Sequence, residues 1–313
     1  MLKRLAAFAG SSRAVTRGKW ICAIGAIASA FAGAFGAAYL AAQPGFGVLT
    51  ALLLFAGAVM LGTVFAQIFF TTEGYVEQRG RDLRAQDLCD ALLEGQPPTE
   101  PFVLYLRPFA STDQIGTEVA RSVRVSGPTG TQVVFATDRI EFEEQIEKAL
   151  RPFGLLVGLG RPLEHIGAGR IVVSDEIWKQ AISAMMDHAE LIVLLPSAMG
   201  GTSWEVGELL KSGRMNKTIV VDPPNAAGAR RPDYNPAAEW RNIKAAFGSG
   251  GYALPDDDPD GLLLYFGDQT EPIAHVRLSL DGDSDVRRFA RRILKMQRQQ
   301  TKRTDLSQEL SHA

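Results

Sequence analysis

This sequence is poor in cysteine and histidine, the residues of disulfides and of the commonest transition-metal sites. It contains two cysteines and four histidines in 313 residues. Cys22 and Cys89 lie far apart and the histidines are scattered, so neither a disulfide framework nor a metal-ligand spacing is present. We therefore expect a reducing compartment, no bound metal and no cofactor.

The sequence also lacks a strong charge of either sign and the common phosphate-binding motifs. Its net charge is −2, so no overall field attracts nucleic acid and no nucleic-acid partner is expected. Gly158-Leu159-Gly160 is an incomplete dinucleotide fingerprint, and no P-loop lysine motif occurs. Asp256-Asp257-Asp258 lacks the spacing and the closing Glu of a calcium loop, and is typical of a solvated turn.

One long stretch of the sequence has no charged side chain: residues 20–72 contain no Asp, Glu, Lys or Arg. A membrane-spanning helix needs roughly 20 apolar residues, so this stretch is long enough for two. Gln43-Pro44-Gly45 predicts a turn between spans at about 20–42 and 48–70. Basic residues before the first span and after the second predict a multi-pass protein of the inner (plasma) membrane with both termini in the cytoplasm. The lipid bilayer is therefore an expected partner.

Composition divides the chain into five segments. We predict a cytoplasmic basic N-terminus over 1–19, a transmembrane helical hairpin over 20–72, a juxtamembrane helix and linker over 73–98, a cytoplasmic α/β domain over 99–300, and a flexible tail over 301–313.

Apolar runs alternate with helical patterns throughout the predicted domain. Short apolar runs bounded by turn residues are typical of buried parallel strands, and we predict strands at 102–106, 154–160, 191–195, 218–221, 262–266 and 273–280. The predicted helices lie at 140–153, 175–190, 202–210, 236–247 and 283–299. This alternation predicts an α/β fold with a flavodoxin-like, doubly wound parallel sheet, preceded by the transmembrane hairpin. The polar stretch over 114–138 fits either a loop or an added hairpin.

Glu205 has a special place in this pattern. The apolar run over 191–195 ends in a loop containing Gly200 and Gly201, and Thr202 or Ser203 can cap the helix that follows. Glu205 is then expected in the first turn of that helix, beyond the carboxyl end of a strand, where open α/β sheets bind ligands. Its carboxylate can face a ligand there, or can simply interact favourably with the helix dipole.

Two short motifs resemble those of a known family. The segment Leu104-Tyr105-Leu106-Arg107-Pro108-Phe109 with Asp113, and the Trp204-Glu205 helix start, resemble the Toll/interleukin-1 receptor (TIR) domain in a divergent bacterial form. The resemblance covers roughly 102–221 and extends to the nucleoside deoxyribosyltransferases of similar fold. It implies an enzyme that cleaves the nicotinamide–ribose bond of NAD, as a substrate, with Glu205 as the catalytic glutamate. It also implies self-association and a role in antiphage or stress signalling.

Cleavage of a glycosidic bond requires few protein groups. It creates an oxocarbenium-like centre, which a positioned carboxylate can stabilise or attack. Arg107 can bind a phosphate or form an ion pair, and Trp204 can stack on a base or pack in the core. The candidate substrate-binding residues are Arg107, Phe109, Ser111, Asp113, Gly160, Arg161, Ser197, Gly200, Gly201 and Trp204.

Other functions stay open on the sequence. One is a non-catalytic nucleotide-binding or scaffold module at the membrane, and another is a hydrolase or transferase acting on another nucleoside. The last predicted helix is basic, and it can contact anionic lipid or leave its arginines in solvent while its apolar stripe packs on the domain.

Overall fold

The computed structural model describes residues 48–108, 116–127, 130–163, 166–197, 200–222, 236–278 and 284–311, with a few isolated positions between 33 and 39. Internal contacts divide the chain into two units, residues 1–80 and residues 81–313.

Helix α1 spans Val48–Leu93. The second predicted membrane span and the predicted juxtamembrane helix are therefore parts of one continuous helix. Within the described part of the chain, no helix combines the length and the apolar character needed to cross a membrane. The predicted transmembrane hairpin thus finds no support there, and its first span, 20–42, lies almost wholly outside the described residues.

A seven-stranded sheet forms the centre of the second unit. In spatial order its strands are β5 (Gly169–Ile171), β4 (Leu155–Leu159), β1 (Phe102–Leu106), β6 (Leu191–Leu194), β7 (Thr218–Asp222), β8 (Leu262–Tyr265) and β9 (Ala274–Arg277). The first five are mutually parallel, which was predicted for β4, β1, β6 and β7, whereas β5 was not predicted.

The prediction of a wholly parallel sheet was wrong at one edge, where β8 and β9 are antiparallel to their neighbours. Leu262 at the start of β8 pairs with Asp222 at the end of β7. The chain therefore returns to the carboxyl edge before it enters β8. The short connection from β8 to β9 then permits only an antiparallel pair, since a parallel crossover needs a dozen or more residues.

Helices cover both faces of the sheet, as expected for a doubly wound fold. Helices α2 (Phe142–Leu150) and α6 (Ser284–Ser311) pack on one face against Val103, Tyr105 and Val193. The other face carries α3 (Trp178–His188), α4 (Gly200–Lys211), α5 (Pro236–Ser249) and the end of α1. Every residue of β1, β6, β7 and β8 is buried, because the strands are covered on both sides.

A separate hairpin occupies most of the polar stretch between β1 and α2. Strands β2 (Gly116–Gly127) and β3 (Gly130–Glu141) pair antiparallel along their whole length, from Gly116 opposite Glu141 to Gly127 opposite Gly130. Of the two alternatives for this stretch, the added hairpin is therefore the one found.

The outer edge of β5 is covered by side chains of α1. Asp82 accepts hydrogen bonds of 2.9 Å from the backbone N–H groups of Arg170 and Leu163. Gln86 accepts another of 2.9 Å from the N–H of Val172. The bonds to Arg170 and Val172 satisfy edge groups that would otherwise be open to another strand, and the bond to Leu163 holds the loop before β5.

Candidate functional site

The direction of chain winding reverses between β1 and β6. After β1 the chain passes to α2 on one face of the sheet, and after β6 it passes to α4 on the opposite face. A crevice opens at such a switch point, beyond the carboxyl ends of the strands, and it is the usual ligand site of open α/β sheets. Arg107 follows β1 and Ser197 follows β6 at this edge.

Glu205 lies on the helix that leaves this crevice, one turn deeper than predicted. Helix α4 begins at Gly200, so Thr202 and Ser203 lie inside the helix and neither caps it. Glu205 shares the buried face of α4 with Thr202 and Leu209, at helical spacing. The interpretation as a first-turn acid was therefore wrong, and the dipole effect, which fades beyond the first turn, does not account for this residue.

The carboxyl group of Glu205 is deeply buried. The residue is only 3% exposed, and no basic side chain of the described residues lies within ion-pairing distance of it. Among the same residues its Oε2 has no hydrogen-bond partner. Burial therefore raises the pKa of Glu205 from 4.5 to about 7. Carboxyl groups whose pKa is raised towards neutrality by burial are found often at functional sites, which makes Glu205 a candidate active-site residue.

Two tryptophans lie beside the start of α4. The rings of Trp178 and Trp204 meet edge to face with centroids 4.9 Å apart. Lys179 Nζ lies 5.6 Å from the centroid of the first ring and 5.5 Å from that of the second. A side chain at Gly201 would come within 3.8 Å of the Trp178 ring, so that ring lies one helical turn before Glu205. Both tryptophans are half-buried and pack against the core on this face of the sheet, and the Trp178 ring is in contact range of Gly201.

Arg107 takes part in a buried ion cluster. Its Nε lies 3.1 Å from Oε2 of Glu143, and Arg170 Nη2 lies 2.6 Å from Oε1 of the same carboxylate. The backbone N–H of Ala168 also donates to Glu143 Oε1 at 2.9 Å. Because Glu143 belongs to α2, this cluster lies on the face of the sheet opposite Glu205. Sequence reasoning missed Glu143 and Arg170, since nothing in their spacing marks them as partners of Arg107.

The other predicted site residues are not all gathered at one place. Gly160 and Arg161 follow β4, which lies on the far side of β1 from β6, and the Gly160 N–H donates to Ile171 O at 3.2 Å. Ser197 is buried, and its Oγ donates to Glu239 Oε1 at 2.7 Å, which ties the loop after β6 to α5. Gly200 and Gly201 form the first residues of α4. Phe109, Ser111 and Asp113 lie outside the described residues.

Asp222 is a second buried carboxyl at the carboxyl edge, and sequence reasoning missed it. It ends β7, next to β6, and is 6% exposed. Burial raises the pKa of Asp222 to about 7, a hydrogen bond from the Asp258 backbone opposes the rise, and the charges of Asp257 and Asp258 add to it. An acid directly after an apolar run was the signal that could have revealed it, by the argument applied to Glu205.

Neither a metal site nor a known relative identifies the ligand of this candidate site. Within the described ranges, no group of three or more His, Cys, Asp or Glu side chains is placed to hold a metal ion. Comparison with protein-family models, curated proteins and solved structures finds no match. The resemblance to TIR domains therefore rests on the sequence motifs, beside an α/β fold that many functions share.

Proposed function

We propose that this chain hydrolyses the N-glycosidic bond of a nucleotide, with Glu205 as the catalytic carboxylate and NAD as the candidate substrate. The observation that carries the proposal is the burial of the Glu205 carboxyl group at the switch-point edge without a basic partner among the described residues. The predicted membrane anchor and self-association accompany this proposal as separate expectations from the sequence.

An unpaired buried carboxylate favours a cationic ligand. Ionised Glu205 loses hydration and gains no counter-charge from the described residues, and the loss of hydration is the cause of its raised pKa. The nicotinamide ring of NAD carries a positive charge, and bond cleavage moves positive charge onto the ribose. A bound substrate and its transition state thus supply a positive charge that the described part of the chain does not, and the attraction is strong because water is excluded.

The reaction needs one well-placed carboxylate. As the bond between ribose C1′ and the nicotinamide nitrogen breaks, its electron pair leaves with nicotinamide, which becomes neutral. The cation left at C1′ is stabilised or attacked by the Glu205 carboxylate. Water then adds at C1′ and loses a proton, which leaves ADP-ribose. Nicotinamide needs no proton in order to leave, so the ionised form of Glu205 is the active one.

This chemistry predicts the direction of the pH dependence. The pKa of Glu205 in the free chain is about 7, so kcat/KM for NAD is expected to rise with pH up to about 7 and then level off. A bound cationic substrate lowers the pKa of a neighbouring carboxyl group, so the corresponding rise in kcat occurs at lower pH.

The direct test measures nicotinamide released from NAD by the purified full chain. The Glu205→Gln variant keeps the size of the side chain and removes the charge, so release is expected to fall by at least about a hundredfold. Glu208→Gln is the matched control, because Glu208 lies one turn further along α4 and pairs with Arg214 at 3.2 Å. Equal release by the parent and the Glu205→Gln variant would refute the assignment.

The raised pKa of Glu205 favours a second candidate, hydrolysis of a neutral nucleoside. A carboxyl group that is half protonated near pH 7 can donate a proton to a departing base. Activity on such a substrate depends on the protonated form, so it would fall rather than rise as the pH passes about 7. The pH profile with each substrate therefore separates the two chemistries.

A further inference from the structure

The C-terminal helix α6 and the segment after α2 border a small, open pocket lined by basic and apolar groups. Its volume is about 350 Å³. We call it the basic pocket, and it is lined by Phe153, Arg291, Leu294, Lys295, Arg298 and Gln299. Among the side chains that the structure describes, none of those lining the pocket is acidic, although the whole chain has a net charge of −2.

The basic pocket lies at the amino edge of the parallel strands, opposite the edge that carries Glu205. Phe153 precedes β4, and Arg298 Nη2 lies 3.5 Å from Glu190 Oε1, just before β6. The neighbouring Gln297 donates to the carbonyl oxygen of Asn216, before β7, at 3.0 Å. The pocket is therefore separate from the candidate active site.

The charges of the pocket are only weakly neutralised by the protein. Residues 284–299 of α6 contain six basic residues and one acid, Asp285, which pairs with Arg288. Arg291 and Lys295 are exposed, and among the described residues no carboxylate lies within ion-pairing distance of either. Arg298 is 74% exposed and has only a half-exposed partner in Glu190.

The three lining cations share one side of the helix. Arg291, Lys295 and Arg298 follow the spacing i, i+4, i+7, which stacks like charges on neighbouring turns and disfavours the unliganded helix. The floor beneath them is apolar, since Leu294 is 6% exposed and Phe153 packs against the core. A basic helix surface that served only solubility would need neither a concave shape nor an apolar floor.

We propose that the basic pocket binds a phosphate group attached to an apolar or planar carbon body. Arg291, Lys295 and Arg298 bind the phosphate oxygens, because guanidinium groups match phosphate in geometry and charge. Phe153 and Leu294 contact the carbon part of the ligand. The same chemistry is offered by a phospholipid headgroup and by a soluble organic phosphate.

Titration calorimetry on the full chain, in an uncharged detergent, tests this proposal with two probes. Short-chain phosphatidic acid below its micellar concentration represents the lipid source, and phenyl phosphate represents the soluble source. Short-chain phosphatidylcholine, which is zwitterionic, is the reference ligand. The pocket variant is the triple substitution Arg291→Gln, Lys295→Gln, Arg298→Gln. The control Lys211→Gln, Arg241→Gln, Arg292→Gln removes the same net charge from exposed positions that do not line the pocket.

At least one phosphate probe is expected to bind the parent chain more tightly than phosphatidylcholine does. The pocket variant should bind that probe about tenfold more weakly or worse, and the control variant less than about threefold more weakly. The probe that binds identifies the source of the ligand. Phe153→Ala should weaken binding as well, in a variant that keeps every charge. Failure of both probes to bind, or an equal loss in the pocket and control variants, would overturn the proposal.

Discussion

Replacing Glu205 by Gln is expected to stabilise the folded chain at neutral and alkaline pH. In the wild type, a charge must be held at a site that is 3% exposed and offers no basic partner among the described residues. Gln fills the same space with a neutral group, so the folded state no longer carries the cost of the buried charge. The residue proposed to be catalytic is therefore one whose loss should strengthen the fold.

The size of the effect follows from the pKa of Glu205. Its rise from 4.5 to about 7 corresponds to a cost of roughly 3 kcal/mol for the ionised folded state, at about 1.4 kcal/mol per pKa unit. Between these two pH values the unfolded chain has lost the proton while the folded chain keeps it. The free energy of unfolding of the wild type therefore falls with rising pH across this window and becomes constant above it.

Urea unfolding of the full chain, followed by tryptophan fluorescence at pH 4.5 and pH 8.5, measures this effect. Relative to the wild type, Glu205→Gln should gain roughly 3 kcal/mol between the two pH values, with an unchanged denaturant slope. Glu208→Gln, which removes a half-exposed partner of Arg214, should lose less than about 1 kcal/mol at both. A difference between wild type and Glu205→Gln that does not vary with pH would refute the account of a buried, unpaired carboxyl group.

Three further predictions concern other parts of the chain. Asp222→Asn should likewise gain stability between pH 4 and pH 8.5, by roughly 2–4 kcal/mol in urea unfolding, because burial raises the pKa of Asp222 from 3.8 to about 7; a loss at pH 8.5 would contradict this. Glu143→Gln should lower the free energy of unfolding by about 3–5 kcal/mol in the same assay, because two buried guanidinium groups depend on the Glu143 carboxylate. A change near zero would show that other groups balance the charges of Arg107 and Arg170. If the charge-free stretch over 20–72 anchors the chain, the protein should stay in the membrane pellet after alkaline carbonate extraction and be released when that stretch is deleted. Release of the intact chain would refute the predicted anchor.

The strands of the sheet were predictable wherever an apolar run lies between turn residues. Strand β1 was predicted with the bounds it has, and β6, β7 and β8 were predicted to within a residue at each end. Strand β5 was missed because its three residues include Gly169 and a buried arginine, so it has neither length nor an apolar pattern. Strand β5 forms because it pairs with β4 and is covered by α1. Both interactions are long-range, so they cannot be predicted from the local sequence pattern.

The candidate site was predictable only in part. Glu205 stood out because it is an acid near the start of a predicted helix that follows a buried strand. Its position within that helix depends on where α4 begins, which the sequence did not show. The poor helix propensity of glycine placed Gly200 and Gly201 in a loop, whereas both lie in the helix. The burial of Glu205 and the cluster around Glu143 depend on side chains brought together by the sheet, and sequence spacing contains no record of these distances.

The cover of β5 by α1 affects how copies of this chain can assemble. A strand added at that edge would have to displace the bonds that Asp82 and Gln86 make to the N–H groups of Arg170 and Val172. Growth of the sheet by strand addition is therefore blocked on this side and left to the opposite edge at β9, where His275, Val276 and Arg277 are exposed. Self-association through the sheet would accordingly be one-sided, which favours closed pairs over open-ended filaments.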